Sequence, residues 1–195
     1  MLARIDDMSH YIDLQLRPDP DFPPHQLLAA LYAKLHRSLV QLQLDRVGVS
    51  FPGYQENPPG LGDILRLIGP QAALQQLMGH PWLQGMRDHV KTSAIAPVPA
   101  DATPRHLRRV QAKSNPERLR RRQMRRHGVN EEHARAQIPD HATEVLRLPF
   151  VTLRSTSTGQ TFPLFFHLGP PVASACPDAT FNTYGLSHKA TIPWF

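Results

Sequence analysis

Cysteine is nearly absent from this sequence, since Cys176 is the only one among 195 residues. A single cysteine excludes a disulfide within the chain and is typical of a protein that works in a reducing compartment. No N-terminal apolar run resembles a signal peptide, and no segment approaches the length needed to span a membrane. We therefore expect a cytoplasmic protein without a membrane partner.

The motifs of metal and nucleotide chemistry are also missing. Eleven histidines are present, but no set of His, Cys, Asp and Glu has the spacing of a zinc site, and no glycine-rich loop suited to a phosphate occurs. The sequence therefore argues against a metal enzyme, and we expect neither a metal ion nor a cofactor.

Proline is abundant, with twenty residues, which predicts short elements joined by irregular connections. Alternating and helical apolar patterns predict a β-α-β-β-α-β order in the first half, which is the order of a ferredoxin-like domain. The predicted strands are 10–17, 46–51, 63–68 and one within 83–98, and the predicted helices are 24–44 and 71–78. We assign this domain to residues 8–98.

The second half predicts a less regular α+β domain, residues 108–195, after a proline-marked linker at 99–107. Its predicted elements are an extended piece at 108–112, helices at 115–127 and 130–138, strands at 148–154 and 160–168 joined by a hairpin loop, and a further strand at 180–184. The terminal aromatic residues Trp194 and Phe195 are expected to dock on the fold because burying them is favourable.

The helix predicted at 115–127 lies in the most basic stretch of the sequence. Residues 105–127 contain ten Lys or Arg against one acid, Glu117, whereas the whole chain has a net charge of only +6. Ser114 and Glu117 form a capping-box pattern, and Gly128 follows as a C-terminal stop. Helical spacing places five arginines on one face, namely Arg118, Arg121, Arg122, Arg125 and Arg126.

A polyanion would relieve the repulsion among these arginines, so the pattern favours nucleic-acid binding. The alternatives are a solvated surface helix and an anionic membrane surface. The membrane alternative is weakened because the opposite face lacks bulky apolar residues.

Four runs of sequence closely resemble one family, the CRISPR repeat-processing endoribonucleases of subtype I-F. They are YIDLQLRPDP at 11–20, RVQAKSNPERLRRR at 109–122, FVTLRSTSTGQ at 150–160 and YGLS at 184–187. The resemblance implies a prokaryotic protein that binds the hairpin of a CRISPR repeat in precursor RNA. It implies metal-independent cleavage at the 3′ base of the stem, and retention of the mature crRNA among the other subunits of the type I-F surveillance complex.

The resemblance also implies roles for individual residues. His36 and Ser155 match the catalytic histidine and serine, and Tyr184 matches the tyrosine that orients the histidine. From the residues alone, His36 is a helix histidine at the rim of an apolar stripe, which is commonly a plain boundary residue. The implied RNA-binding residues are Arg109, Gln111, Arg118, Arg121, Arg122, Arg125, Arg126, His127, Ser157 and Phe162.

The implied chemistry suits these side chains. RNA carries its own nucleophile, the ribose 2′-OH next to the scissile phosphate, so the protein need only align it and assist proton transfer. Attack by this hydroxyl gives a 2′,3′-cyclic phosphate and a 5′-OH. Whether His36 is the base or the acid stays open. The rival interpretations are a non-catalytic RNA-hairpin-binding subunit and a general nucleic-acid- or ribosome-associated basic protein.

Overall fold

A computed structural model describes residues 8–111, 116–139, 146–155, 158–176 and 180–195, and these form a mixed α+β fold. The described residues group into two compact units, 8–109 with 148–195 and 110–147. The domain boundaries at 99–107 stay a prediction. The elements in chain order are β1 (His10–Leu16), α1 (Pro24–Leu42), β2 (Gly48–Ser50), β3 (Gln55–Glu56), β4 (Pro59–Gly60), β5 (Ile64–Gly69), α2 (Gln71–Gly79), β6 (Val90–Thr92), β7 (Ala96–Pro97), β8 (Thr103–Val110), α3 (Pro116–His127), α4 (Glu131–Gln137), β9 (Phe150–Arg154), β10 (Thr161–Pro171) and β11 (Ile192–Trp194).

The first sheet has the strand order β2-β5-β1-β6, and β7 also pairs with β1. Its elements follow the predicted β-α-β-β-α-β order, with the small β3–β4 hairpin inserted. Strand β1 runs antiparallel to both β5 and β6, so that Leu14 lies opposite Leu65 and Thr92. Alternate residues of β1 are buried, which is the reason its period-2 pattern was visible in the sequence.

Helix α1 begins at Pro24, where the missing N–H of proline has no cost, and ends with Gln43 in the left-handed conformation at φ 52°. Its apolar stripe is buried, and it packs against β1 and β9. His36 lies at the edge of this stripe and is half-buried, as its position on the helical wheel predicts.

The second sheet has the strand order β11-β8-β10-β9. Strand β8 already begins at Thr103, earlier than the extended piece predicted at 108–112. β9 and β10 form the predicted hairpin, with Arg154 opposite Thr161. The docking predicted for the chain end is confirmed, because β11 pairs with β8 and both Trp194 and Phe195 are partly buried.

The strand predicted at 180–184 is wrong, because these residues enter a tight turn. The Asn182 side-chain oxygen accepts hydrogen bonds from the main-chain N–H groups of Tyr184 and Leu186, at 2.9 and 3.2 Å. Gly185 adopts φ 68°, and a Cβ there would lie 2.6 Å from a Val49 side-chain carbon. Local asparagine hydrogen bonding and a required glycine thus prevail over the alternating pattern.

The second unit consists of α3 and α4 with their flanking residues. Gly128 ends α3 at φ 65°, and its N–H donates to the Met124 carbonyl at 2.9 Å, as predicted. The predicted cap Ser114 lies outside the described residues. Arg120 is buried and donates to the Ile138 carbonyl at 2.7 Å, which ties α3 to the end of α4. No helix in the described ranges is long and apolar enough to cross a membrane.

Candidate functional site

A cleft of about 220 Å³ in the first unit brings together four of the residues singled out in the sequence. We call it the histidine cleft. His36 comes from α1, Ser155 from the end of β9, Phe162 from β10, and Tyr184 from the turn at 182–186. These residues are far apart in sequence and meet because α1 packs against β9.

Two contacts fix the ring of His36. Its Nδ1 lies 2.8 Å from the Thr183 carbonyl oxygen, and since a carbonyl can only accept, Nδ1 carries the proton. The ring also stacks on Tyr184, with centroids 3.9 Å apart and planes 4° apart. The other nitrogen, Nε2, is therefore the one that can take up or release a proton.

The turn that contains Tyr184 is itself anchored by a hydrogen bond from the buried Tyr32. The Tyr32 hydroxyl donates to the Tyr184 carbonyl at 2.6 Å. Tyr32 is fully buried, and this burial raises the pKa of its hydroxyl well above the usual value. The hydroxyl thus remains a donor throughout the physiological pH range, and the turn that holds His36 does not loosen through its titration.

Ser155 opens the β9–β10 turn, which has its own hydrogen bonds. The main-chain N–H of Ser155 donates to the Gln160 carbonyl at 2.8 Å, and the Thr158 N–H donates to the Ser155 Oγ at 3.2 Å. Arg154 Nε donates to the Gly159 carbonyl at 3.1 Å and closes the turn from outside. Ser157 lies outside the described residues.

Arg109 extends this cluster of aromatic and polar groups. Its guanidinium carbon lies 5.6 Å from the Phe162 ring centroid and 5.9 Å from that of Tyr184, within the range of a cation–π contact. Its Nε is buried and has no hydrogen-bond partner among the described residues. Gln111 follows β8, is exposed, and belongs to the second unit.

The arginine-rich helix is α3 of the second unit. The side chains of Arg121, Arg122, Arg125, Arg126 and His127 are exposed, whereas the side chain of Arg118 lies outside the described part of the structure. Arg121 lies 3.6 Å from Glu117, and both side chains are about three-quarters exposed, so that water screens this pair strongly. The helix thus presents a set of solvated cations, with Arg120 turned inward as the structural member.

The sequence did not single out three residues that shape the histidine cleft. Arg37 and Arg154 line it, and Thr183 supplies the carbonyl that orients His36. Their positions next to His36, Ser155 and Tyr184 along the chain were the available signal. No group of three or more His, Cys, Asp or Glu within the described ranges is placed to hold a metal ion.

These features define an α+β protein with a histidine and a serine in one cleft and an arginine-covered helix in a separate unit. Residues 11–195 match the family model described as "CRISPR-associated protein (Cas_Csy4)". The chain belongs to this family, so the family resemblance inferred from the sequence is confirmed.

Two curated relatives cover the same extent. The "CRISPR-associated endonuclease Cas6/Csy4" of Pseudomonas aeruginosa (strain UCBPP-PA14) is 52% identical over 188 residues, which are 96% of this chain and all of the relative. The protein of the same name from Escherichia coli (strain UTI89 / UPEC) is 40% identical over the same coverage. The likeness therefore spans both compact units.

Proposed function

We propose that this protein is an endoribonuclease that binds the hairpin of a CRISPR repeat in precursor RNA and cuts it at the 3′ base of the stem. Two curated relatives that it matches over nearly its full length are named endonucleases. The observation that carries the proposal is the histidine cleft, where a tethered, stacked imidazole shares a cleft with Ser155.

The reaction uses the RNA's own hydroxyl. The 2′-oxygen upstream of the cut attacks the phosphorus, the bond to the 5′-oxygen breaks, and the products are a 2′,3′-cyclic phosphate and a 5′-OH. Ser155 positions the 2′-OH by a hydrogen bond. His36 Nε2 moves a proton, either by taking it from the 2′-OH or by giving one to the departing 5′-oxygen.

Negative charge develops on the phosphate in the transition state and is stabilised by nearby cations. The histidine cleft has two of them. Arg37 and Arg154 line it beside His36 and Ser155, and a guanidinium offers both positive charge and a fork of N–H donors. Their role is to stabilise the crowded phosphate in the transition state, where the negative charge is most concentrated. No step of this mechanism requires a metal ion.

Affinity for the RNA and specificity for its sequence come from other residues. Arg121, Arg125, Arg126 and His127 neutralise the phosphates of the stem together with Arg118, whereas Arg122 contacts a guanine edge. Arg109 and Gln111 read base edges near the bottom of the stem. Phe162 stacks under the terminal base pair, and Ser157 is a further RNA-binding residue. The protein then stays on the mature crRNA with the other subunits of the type I-F surveillance complex.

One assay tests the central proposal. A radiolabelled repeat hairpin is incubated with the protein in excess EDTA, beside the same RNA with a 2′-deoxyribose just upstream of the cut. We expect one cut with a cyclic phosphate in the first RNA and binding without cleavage in the second. Cleavage of the deoxy RNA, a product ending in a 3′-OH, or a strict need for magnesium would overturn this mechanism. Tight binding with no cleavage of either RNA would instead support the non-catalytic hairpin-binding subunit.

A further inference from the structure

A second polar cleft lies on the same helix as His36 and shares only Arg37 with the groups assigned above. It encloses about 290 Å³, and we call it the α1–α2 cleft. Lys34, Arg37 and Gln41 line it from α1, and His80, Trp82 and Gln84 line it from the segment after α2. No lining residue from the described part of the chain is acidic.

The two clefts are adjacent because neighbouring residues of α1 line them. Positions 34, 37, 38 and 41 follow the i, i+3, i+4, i+7 spacing and so share one face of α1, whereas 33, 36 and 37 border the histidine cleft. Arg37 lines both, which makes its guanidinium the boundary between them. An RNA strand whose reacting phosphate lies in the histidine cleft can therefore continue along this face of α1 without leaving the protein surface.

The groups of the α1–α2 cleft suit a phosphodiester backbone. Lys34 is held by a hydrogen bond from its Nζ to the Gln84 carbonyl at 2.8 Å, and an ammonium has further N–H groups to donate. Gln41 is an exposed amide that donates and accepts. Contacts of this kind recognise phosphate and ribose rather than base edges, so binding here would not depend on sequence.

Two buried ring nitrogens add a second observation. Trp82 Nε1 and His80 Nδ1 each have no hydrogen-bond partner among the described residues. An indole N–H can only donate, and a buried donor without an acceptor is costly. An oxygen-rich ligand in this cleft is of the chemical class that would satisfy such donors.

The 5′-to-3′ polarity of the RNA determines which of its single-stranded flanks can reach the α1–α2 cleft. The leaving 5′-oxygen belongs to the nucleotide downstream of the cut, so the downstream strand starts at the histidine cleft. The 5′ flank of the hairpin starts on the opposite strand of the terminal base pair, across the width of the stem. We propose that the α1–α2 cleft binds the single-stranded RNA downstream of the cleavage site and so helps to align the leaving group. This inference rests on the proposed function.

A charge series at Gln41 tests the proposal through rates. Single-turnover cleavage is measured for two hairpin RNAs, one ending a single nucleotide past the cut and one ending ten nucleotides past it. The longer RNA should be cut about two- to fivefold faster, the size of one or two exposed ion contacts. Gln41→Glu should remove this advantage and Gln41→Lys should increase it. Val40→Glu and Val40→Lys, on an exposed neighbouring position outside the cleft, are matched controls that should change nothing.

A cross-linking experiment makes the test independent of cleavage. The uncleavable 2′-deoxy RNA carries 4-thiouridine at the third downstream nucleotide, and cross-linked peptides are mapped. Cross-links within 34–41 or 80–84 are expected, and they should weaken in Gln41→Glu but not in Val40→Glu. Equal rates for the two RNAs in every variant, or cross-links elsewhere, would overturn the proposal that the α1–α2 cleft binds the downstream RNA. Absence of all cleavage would overturn the proposed function, while the cross-link map would still decide the path of the strand.

Discussion

At the scale of single residues, His36 is where the proposed chemistry is concentrated. His36→Ala should lower single-turnover cleavage by about 10²–10⁴-fold, the usual cost of losing a proton-transfer group. Hairpin affinity should change little, because the proposed function assigns phosphate binding to several arginines and not to His36. His25→Ala is the matched control, since His25 is an exposed histidine on the same helix and does not line the histidine cleft. Equal losses in the two variants, or a loss of affinity parallel to the loss of rate, would contradict a catalytic role for His36.

We predict that Tyr184 positions His36 and that it does so through its ring. Tyr184→Phe keeps the stack on His36 and should cut at a rate near that of the unaltered protein. Tyr184→Leu removes a stacked pair worth about 0.5–1.5 kcal/mol, which predicts a rate roughly two- to tenfold lower. A Phe variant as slow as the Leu variant would show that the hydroxyl, and not the ring, is required.

At the scale of elements, the proposed function divides the arginines of α3 into phosphate-binding residues and one base-reading residue. Arg121→Ala, Arg125→Ala and Arg126→Ala should each weaken binding of every hairpin and lower the salt slope of log K by about one unit at most. Arg122→Ala should cost about 1–3 kcal/mol, chiefly with the cognate stem. Filter binding at several salt concentrations, with cognate and scrambled hairpins, distinguishes these effects. The same loss on both hairpins for all four variants would exclude Arg122 as a base reader.

The elements also show which parts of the fold the sequence can predict. Strands β1 and β5 and helices α1, α2 and α4 appear close to their predicted limits, because alternation and the 3.6-residue period are local signals. Residues 180–184 failed as a strand because the Asn182 hydrogen bonds and the positive φ of Gly185 override the alternating pattern. The early start of β8 was missed because its pairing partners, β10 and β11, are distant in sequence.

At the scale of the whole molecule, the histidine cleft was predictable only through the family resemblance. No local pattern relates position 36 to positions 155 and 184, because they meet through α1–β9 packing and through one carbonyl, that of Thr183. The charge of α3 was visible at once, since it needs no tertiary partner. Arg66 had no sequence signal at all, although it becomes one of the few buried charged residues in the described structure.

Arg66 joins strand β1 to Phe195 within the first unit. Its guanidinium donates to the Asp13 carboxylate at 2.7 and 2.9 Å and to the main-chain oxygen of Phe195 at 2.8 Å. It also lies 4.8 Å from the ring centroid of Tyr11 and 3.9 Å from that of Phe195. Strand β1, strand β5 and the C-terminal residue therefore share a single cation, and we expect the stability of the first unit to depend on it.

Arg66→Ala should lower the free energy of unfolding by about 2–4 kcal/mol, somewhat less than for a fully buried pair because the Asp13 side chain is 22% exposed. Both tryptophans, Trp82 and Trp194, belong to this unit, so their fluorescence during urea unfolding reports on it directly. Arg87→Ala, at an exposed arginine of the same unit, should change the free energy by no more than about 0.5 kcal/mol. The double variant Asp13→Asn with Arg66→Met should be more stable than Arg66→Ala, because it removes the Asp13 charge together with the cation that pairs with it. If Arg66→Ala unfolded at the same urea concentration as Arg87→Ala, Arg66 would not contribute to stability. The contact between the rings of Tyr11 and Phe195 would then join β1 to Phe195 without it.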